Sequence, residues 1–211
     1  MLSDRYGYDY GRHGISPPEG GRVFAPIFPC NANELTPLPT ALPRIGWRGS
    51  LDLNPLSVAS SIDMDWLETL IWPEQHARRE RLRTAIEIAR QETPSITRGD
   101  LLHDVPAATK SAPAGMTLVV FHTAVLAYMI SQINRDAFAH TVRALGAVWI
   151  SNEAPGVYPE IAAKVRGPVR ADRFLLAVNG EPVAWTGPHG QSIDWMASKS
   201  VGLISASSMS V

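Results

Sequence analysis

The chain has 211 residues, enough for one ordinary domain and short for two. Its 19 basic and 20 acidic side chains leave a formal charge of −1, without the basic excess of a dedicated nucleic-acid binder. Apolar residues make up 45% and charged residues 18%, which excludes wholesale disorder. A lone cysteine, Cys30, excludes an intramolecular disulfide and any multi-cysteine metal site.

Met1-Leu2-Ser3-Asp4-Arg5 runs into a tyrosine- and glycine-rich segment with no apolar core, so no secretory signal is legible and a cytoplasmic protein is expected. Tyr6, Tyr8 and Tyr10 alternate, which fits either a strand or a stacking surface. Eight of the 17 prolines fall between Pro17 and Pro55. Proline lacks a backbone donor and fixes φ, so residues 17–43 are expected to be largely irregular. A strand is expected over residues 45–53, ended by Asp52-Leu53-Asn54-Pro55.

Ser60 or Ser61 can cap a helix with Leu67, Leu70 and Ile71 on one face. Pro73 closes it, and a second helix over 74–92 sets Leu82, Ala85, Ile86 and Ala89 against a solvated arginine face. A short strand at 95–98 precedes a helix near 104–111. The unbroken apolar run over 116–121 predicts a strand buried on both faces, as in parallel sheets. Segment 116–130 is interrupted by Thr117, His122 and Thr123 and falls short of the about 20 apolar residues of a membrane span.

A helix over 134–145 and a strand over 147–151 follow. A hairpin then turns at Asn179-Gly180, a pair suited to the positive φ values of a two-residue turn. A second turn, Gly187-Pro188-His189-Gly190, leads to a strand at 192–195. The last 15 residues hold six serines and one charge, a composition expected to be disordered.

Alternating strands and helices predict an α/β fold with an open, mostly parallel, Rossmann-like sheet and a C-terminal antiparallel hairpin. One domain is expected over residues 1–196, with a proline-rich irregular lead at 1–44, a sheet core at 45–196 and a serine-rich tail at 197–211. In such sheets ligands bind beyond the carboxyl ends of the strands. That rim would carry Asp52 and Asn54, then Asp100, then His122 and Thr123, then Asn152 and Glu153.

Each of these residues has two readings. Asp52 can bind a ribose or order the Asn54-Pro55 turn, and Asp100 can face an adenine or cap a helix. His122 can be an acid, base or ligand, or a hydrogen-bonded core histidine. Glu153 is the leading functional carboxylate, and His189 reaches the rim only if the hairpin folds towards it. No phosphate loop, Gly-x-Ser-x-Gly elbow or His-x-x-x-His spacing occurs, and no Gly-x-Gly-x-x-Gly turn precedes Asp52.

Seven blocks carry a family resemblance: Asp4-Arg-Tyr-Gly-Tyr-Asp-Tyr-Gly11, Leu51-Asp-Leu-Asn-Pro-Leu56, Trp72-Pro-Glu-Gln-His-Ala-Arg-Arg79, Arg98-Gly-Asp-Leu-Leu102, Leu118-Val-Val-Phe-His-Thr-Ala-Val-Leu-Ala-Tyr128, Trp149-Ile-Ser-Asn-Glu-Ala-Pro-Gly156 and Val183-Ala-Trp-Thr-Gly-Pro-His-Gly190. Together they resemble a bacterial family of unknown function, DUF2332, over about residues 4–196. The resemblance implies relatives that begin earlier, with a helical region and a glycine-rich strand and turn, in an order similar to class I methyltransferases. On that implication Asp52, Asn54 and Asp100 bind S-adenosylmethionine, and His122, Asn152, Glu153 and His189 serve an unidentified small-molecule substrate. This chain would lack the glycine-rich turn, so cofactor affinity is expected to be weak or absent. Self-association through an exposed sheet edge is expected, and no nucleic acid or membrane is expected as a partner. Two alternatives stand beside the methyltransferase-like reading: a non-catalytic interaction remnant of that fold, and a metal-assisted hydrolase using His122, Asp100 and Glu153.

Overall fold

A computed structural model describes residues 2–18, 25–129 and 131–197; the expected tail lies, from Ser198 on, outside the described residues. Within the proline-rich lead, β1 (Gly7–Asp9) pairs antiparallel with β2 (Gly14–Ile15) and parallel with β3 (Ile27–Pro29). The lead is thus partly ordered, and its prolines sit where no ladder bond is lost, as Pro29 does at the end of β3. Of the alternating tyrosines, Tyr8 alone falls within a strand, and the rings pack on one another and on Phe28. Tyr8 lies in β1, stacks on Tyr10 at 6.4 Å and tilts against Phe28 at 6.2 Å. Buried Asp4 accepts from Arg5 and Arg48, tying the start of the chain to residues past the lead.

β4 (Asn31–Ala32) leaves the lead for the main sheet, and β5 (Ser50–Asp52) follows. The Ser60 side chain accepts from Asp63 N at 3.2 Å and so starts α1 (Ser61–Thr69). In α2 (His76–Gln91), Ile86, Ile88 and Ala89 are buried; of the arginines expected on a solvated face, Arg83 is exposed and Arg78, Arg79 and Arg81 are half-buried. β6 (Ile96–Arg98) pairs parallel with β5, and α3 (Leu101–Thr109) follows at once. Next come β7 (Val119–Thr123), α4 (Gln132–Ala144), β8 (Val148–Glu153) and the short α5 (Pro159–Ala162). β9 (Phe174–Val178), β10 (Glu181–Thr186) and β11 (Ser192–Trp195) complete the described residues.

The expected open, mostly parallel Rossmann-like sheet does not form. The main sheet has the order β4-β11-β10-β9-β8-β7, and β5 and β6 form a separate two-stranded sheet. Within the main sheet, β7/β8 and β4/β11 pair in parallel, whereas β8/β9, β9/β10 and β10/β11 are antiparallel. Connection length supplies the reason. Asn179 and Gly180, at φ +53° and +81°, make a two-residue turn, and such a turn joins only antiparallel neighbours. β7 and β8 are linked through α4, long enough for a parallel crossover.

The core lies on one face of this sheet. Trp149, Phe138, Leu126 and Val142 are fully buried there, under α3, α4 and α5. Alternation in β8 turns Trp149, Ser151 and Glu153 inward, and leaves Val148, Ile150 and Asn152 half-buried on the other face. The expectation that the strand after Met116 is buried on both faces fails for this reason. Val120 and His122 face the core, whereas Val119 and Phe121 are 44% and 62% exposed.

Tyr8 links the lead to alkaline stability. Burial first, then Tyr10, Tyr6 and Asp4, pushes its hydroxyl from 10.0 up to about 12. The folded state therefore favours the neutral phenol. This contribution is complete below about pH 10 and is lost as the unfolded chain ionises between about pH 10 and 12. Urea midpoints should fall over that window, and Tyr8→Phe should flatten the fall. Ultraviolet difference titration should show Tyr8 ionising late.

Candidate functional site

β7 and β8 bring two of the sequence-predicted residues together. His122 pairs in register with Ser151, and Glu153 lies two residues further along the same inward face. His122 Nδ1 is 2.7 Å from Glu153 Oε1, and both side chains are buried. On the other side of the ring, Trp149 Nε1 is 2.9 Å from His122 Nε2. An indole N–H can only donate, so His122 Nε2 must accept. The ring proton then sits on Nδ1 and is donated to Glu153. Both imidazole nitrogens are engaged by protein.

Glu153 Oε1 also accepts from the backbone N–H groups of Val125 and Leu126, at 3.0 and 3.1 Å. These follow Ala124, which has a φ of +52° and donates to Asn152 O at 3.1 Å. A left-handed alanine is uncommon. Here it reverses the chain after β7, so that two consecutive amides point at one carboxylate oxygen. Arg135 secures the far side of the turn by donating to Leu126 O and Met129 O. The Tyr158 hydroxyl donates to Arg135 O at 2.9 Å. Burial raises the Tyr158 pKa, with the charges of Asp136 and Glu153 adding to it, so the hydroxyl stays a donor.

Rings close the surroundings. Phe138 meets His122 edge-on at 5.3 Å, Tyr158 meets Trp149 edge-on at 5.4 Å, and the Arg143 guanidinium lies 5.0 Å over the Trp149 ring. Trp149 and Asn179 also exchange backbone bonds: Trp149 N donates to Asn179 Oδ1 at 2.8 Å, and Asn179 N donates to Trp149 O at 2.7 Å. The hairpin turn thereby braces the strand that carries the site. Trp149, Val125 and Leu126 were not legible as site residues. The signal was the Trp149-Ile-Ser-Asn-Glu153 spacing, which puts Trp149 and Glu153 on one strand face.

The remaining predicted residues do not join this pair. Asn152 faces the opposite side, where Nδ2 donates to Thr123 Oγ1 at 3.1 Å and Thr186 Oγ1 donates to Oδ1 at 2.7 Å. Asp52 accepts from Asn54 N, and Asp100 caps α3 by accepting from Leu102 N. The divided sheets put Asp52 at the end of β5 and Asp100 just past β6, instead of on a rim shared with His122. His189 stands in the exposed turn after β10, where its N–H donates to Gln191 Oε1. Glu153 proves to be the last residue of a strand, not a member of the following loop. No three His, Cys, Asp or Glu side chains converge on a metal position among the described residues.

Fold and site together define an α/β protein with a mixed main sheet, in which the parallel β7/β8 crossover is locked by a buried His–Glu pair. Residues 1–195 match the model of DUF2332, an uncharacterized protein conserved in bacteria, and the chain belongs to that family. Neither a curated protein nor a solved structure matches it. Among the described residues no helix is long and apolar enough to cross a membrane.

If Glu153 is the hub of this region, Glu153→Ala strands three buried donors. At about 1–3 kcal/mol for each unsatisfied group, urea unfolding should register a loss of about 3 kcal/mol or more. Trp149→Phe removes one donor and leaves a cavity where the fully buried indole stood, and should cost about 2 kcal/mol or more. Nitrogen NMR of the native protein should find the His122 proton on Nδ1.

Proposed function

We propose that this chain is an interaction module, and that it works by self-association through the outer edge of β7. One observation carries the reading: Val119 and Phe121, on a strand that pairs only with β8 among the described residues, stand 44% and 62% exposed. An outer edge carries unpaired backbone donors and acceptors, which sheet proteins ordinarily protect with charge, proline or a bulge. Val119-Val-Phe-His-Thr123 has no proline and no lysine, arginine or carboxylate, and its pairing with β8 runs without a bulge. A net charge of −1 sets little repulsion between copies. The partner is a second copy of this chain, its β7 lying antiparallel to the first across a two-fold axis.

Catalysis by His122 and Glu153 is less well supported, because every nitrogen of the one and the Oε1 of the other serve the protein's own structure. S-adenosylmethionine fits poorly. The Asp52 and Asp100 carboxylates that would hold it each close a turn of their own backbone.

Sedimentation equilibrium should show a dimer. Phe121→Lys should give a folded monomer, since that side chain lies outside the core. A wild-type chain that remains monomeric at high micromolar concentration overturns the proposal, as does a Phe121→Lys variant that still dimerises. Calorimetric titration with S-adenosylmethionine should give no heat. Heat that disappears in Asp52→Ala would restore the cofactor reading.

A further inference from the structure

Glu153 has a second oxygen, and the hydrogen bonds above do not use it. Oε1 takes the donors of His122, Val125 and Leu126, while Oε2 is buried with no hydrogen-bond partner in the protein. A carboxylate oxygen in that condition is costly, and native proteins satisfy such atoms with protein donors or bound water.

A small cavity adjoins this carboxylate. Ser151, Glu153, Tyr158, Ile161, Leu175 and Ala177 line it, with about 10 Å³ of space for the centre of a water molecule. That is room for about one water. Its polar lining comes from three side chains. Besides Glu153 there is the Ser151 hydroxyl, two residues back on the same inward face of β8, able to donate and accept. The Tyr158 hydroxyl donates its proton to Arg135 O and keeps lone pairs for a donor. Ile161, Leu175 and Ala177 supply apolar wall.

We propose that this cavity is a binding site for a single structural water, which donates to Glu153 Oε2 and shares a hydrogen bond with Ser151. A dry cavity is the alternative for an apolar void, but a buried carboxylate in the wall disfavours it. A metal cation is a worse match, because hard cations require six or more oxygen ligands and half of the named lining is hydrocarbon. With the water in place both oxygens of Glu153 are satisfied. The side chain then joins the β7 turn on one side to the α5 region on the other.

Two measurements on the intact chain test this. A crystal structure should show a density peak about 2.5–3.0 Å from Oε2. Water-selective NMR on methyl-labelled protein should give cross-peaks from a slowly exchanging water to the Ala177 and Ile161 methyls. Ala177→Val fills the cavity and should abolish both the peak and the Ile161 cross-peak. If that variant does not fold, Ser151→Ala keeps the cavity and removes one partner, and the water should then exchange at least several-fold faster. Absence of density and cross-peaks in the native protein overturns the proposal. So does a protein donor found on Oε2, or an exchange rate that Ser151→Ala leaves unchanged.

Discussion

Three protons converge on one oxygen, and much of the chain's geometry follows from that. Glu153 Oε1 receives the His122 ring and the amides of Val125 and Leu126. These donors come from the end of β7 and the turn after it, while the acceptor ends β8. The carboxylate therefore fastens the C-terminal ends of the two parallel strands to each other and sets where the chain turns into α4. A buried carboxylate is tolerable only where donors replace its lost water, and here the backbone supplies two of them. Ala124 takes a left-handed φ for the same reason: without that reversal the two amides would not face Glu153.

The same arrangement makes His122 a brace between the two strands. Its two nitrogens are held by a donor-only indole and an acceptor-only oxygen, which fixes both ring orientation and tautomer. Trp149 is in turn held by Asn179 through its backbone and by Arg143 and Tyr158 through its ring. Chemistry that needed an imidazole nitrogen would first have to dismantle this packing. The opposite face of the sheet is organised differently. Asn152 bridges Thr123 and Thr186 there, with Val119 and Phe121 uncovered beside them. The rigid side of the sheet and its accessible side are thus distinct, and an interaction at the β7 edge need not disturb the core.

Much of the local structure was legible in the residues. Ser60 at the start of α1, the apolar face of α2 at Ile86 and Ala89, and the Asn179-Gly180 turn each follow from short-range rules of capping, periodicity and positive φ. One of the two readings held open for His122 was a hydrogen-bonded core histidine, and the ring is buried with both nitrogens hydrogen-bonded. Pairing was less legible. Alternating strands and helices suggested one parallel sheet, but β5 and β6 pair apart from the others and three of the main-sheet pairings are antiparallel. Nothing in a strand's own composition states which neighbour it will find. The pairings of β1 with β3 and of β4 with β11 escaped for the same reason, since they join residues far apart in sequence.

The sequence by itself determined that α1 begins after Ser60 and where the hairpin turns, because these depend on neighbours within a few residues. It also carried the blocks that mark the family. Only the tertiary structure decided that His122 and Glu153, 31 positions apart, meet at 2.7 Å, that Asp52 and Asp100 stay on a separate pair of strands, and that Phe121 faces outward. Those outcomes depend on strand order and on which face each helix covers. They are set by burying the whole apolar surface at once, and no local window of residues contains that balance.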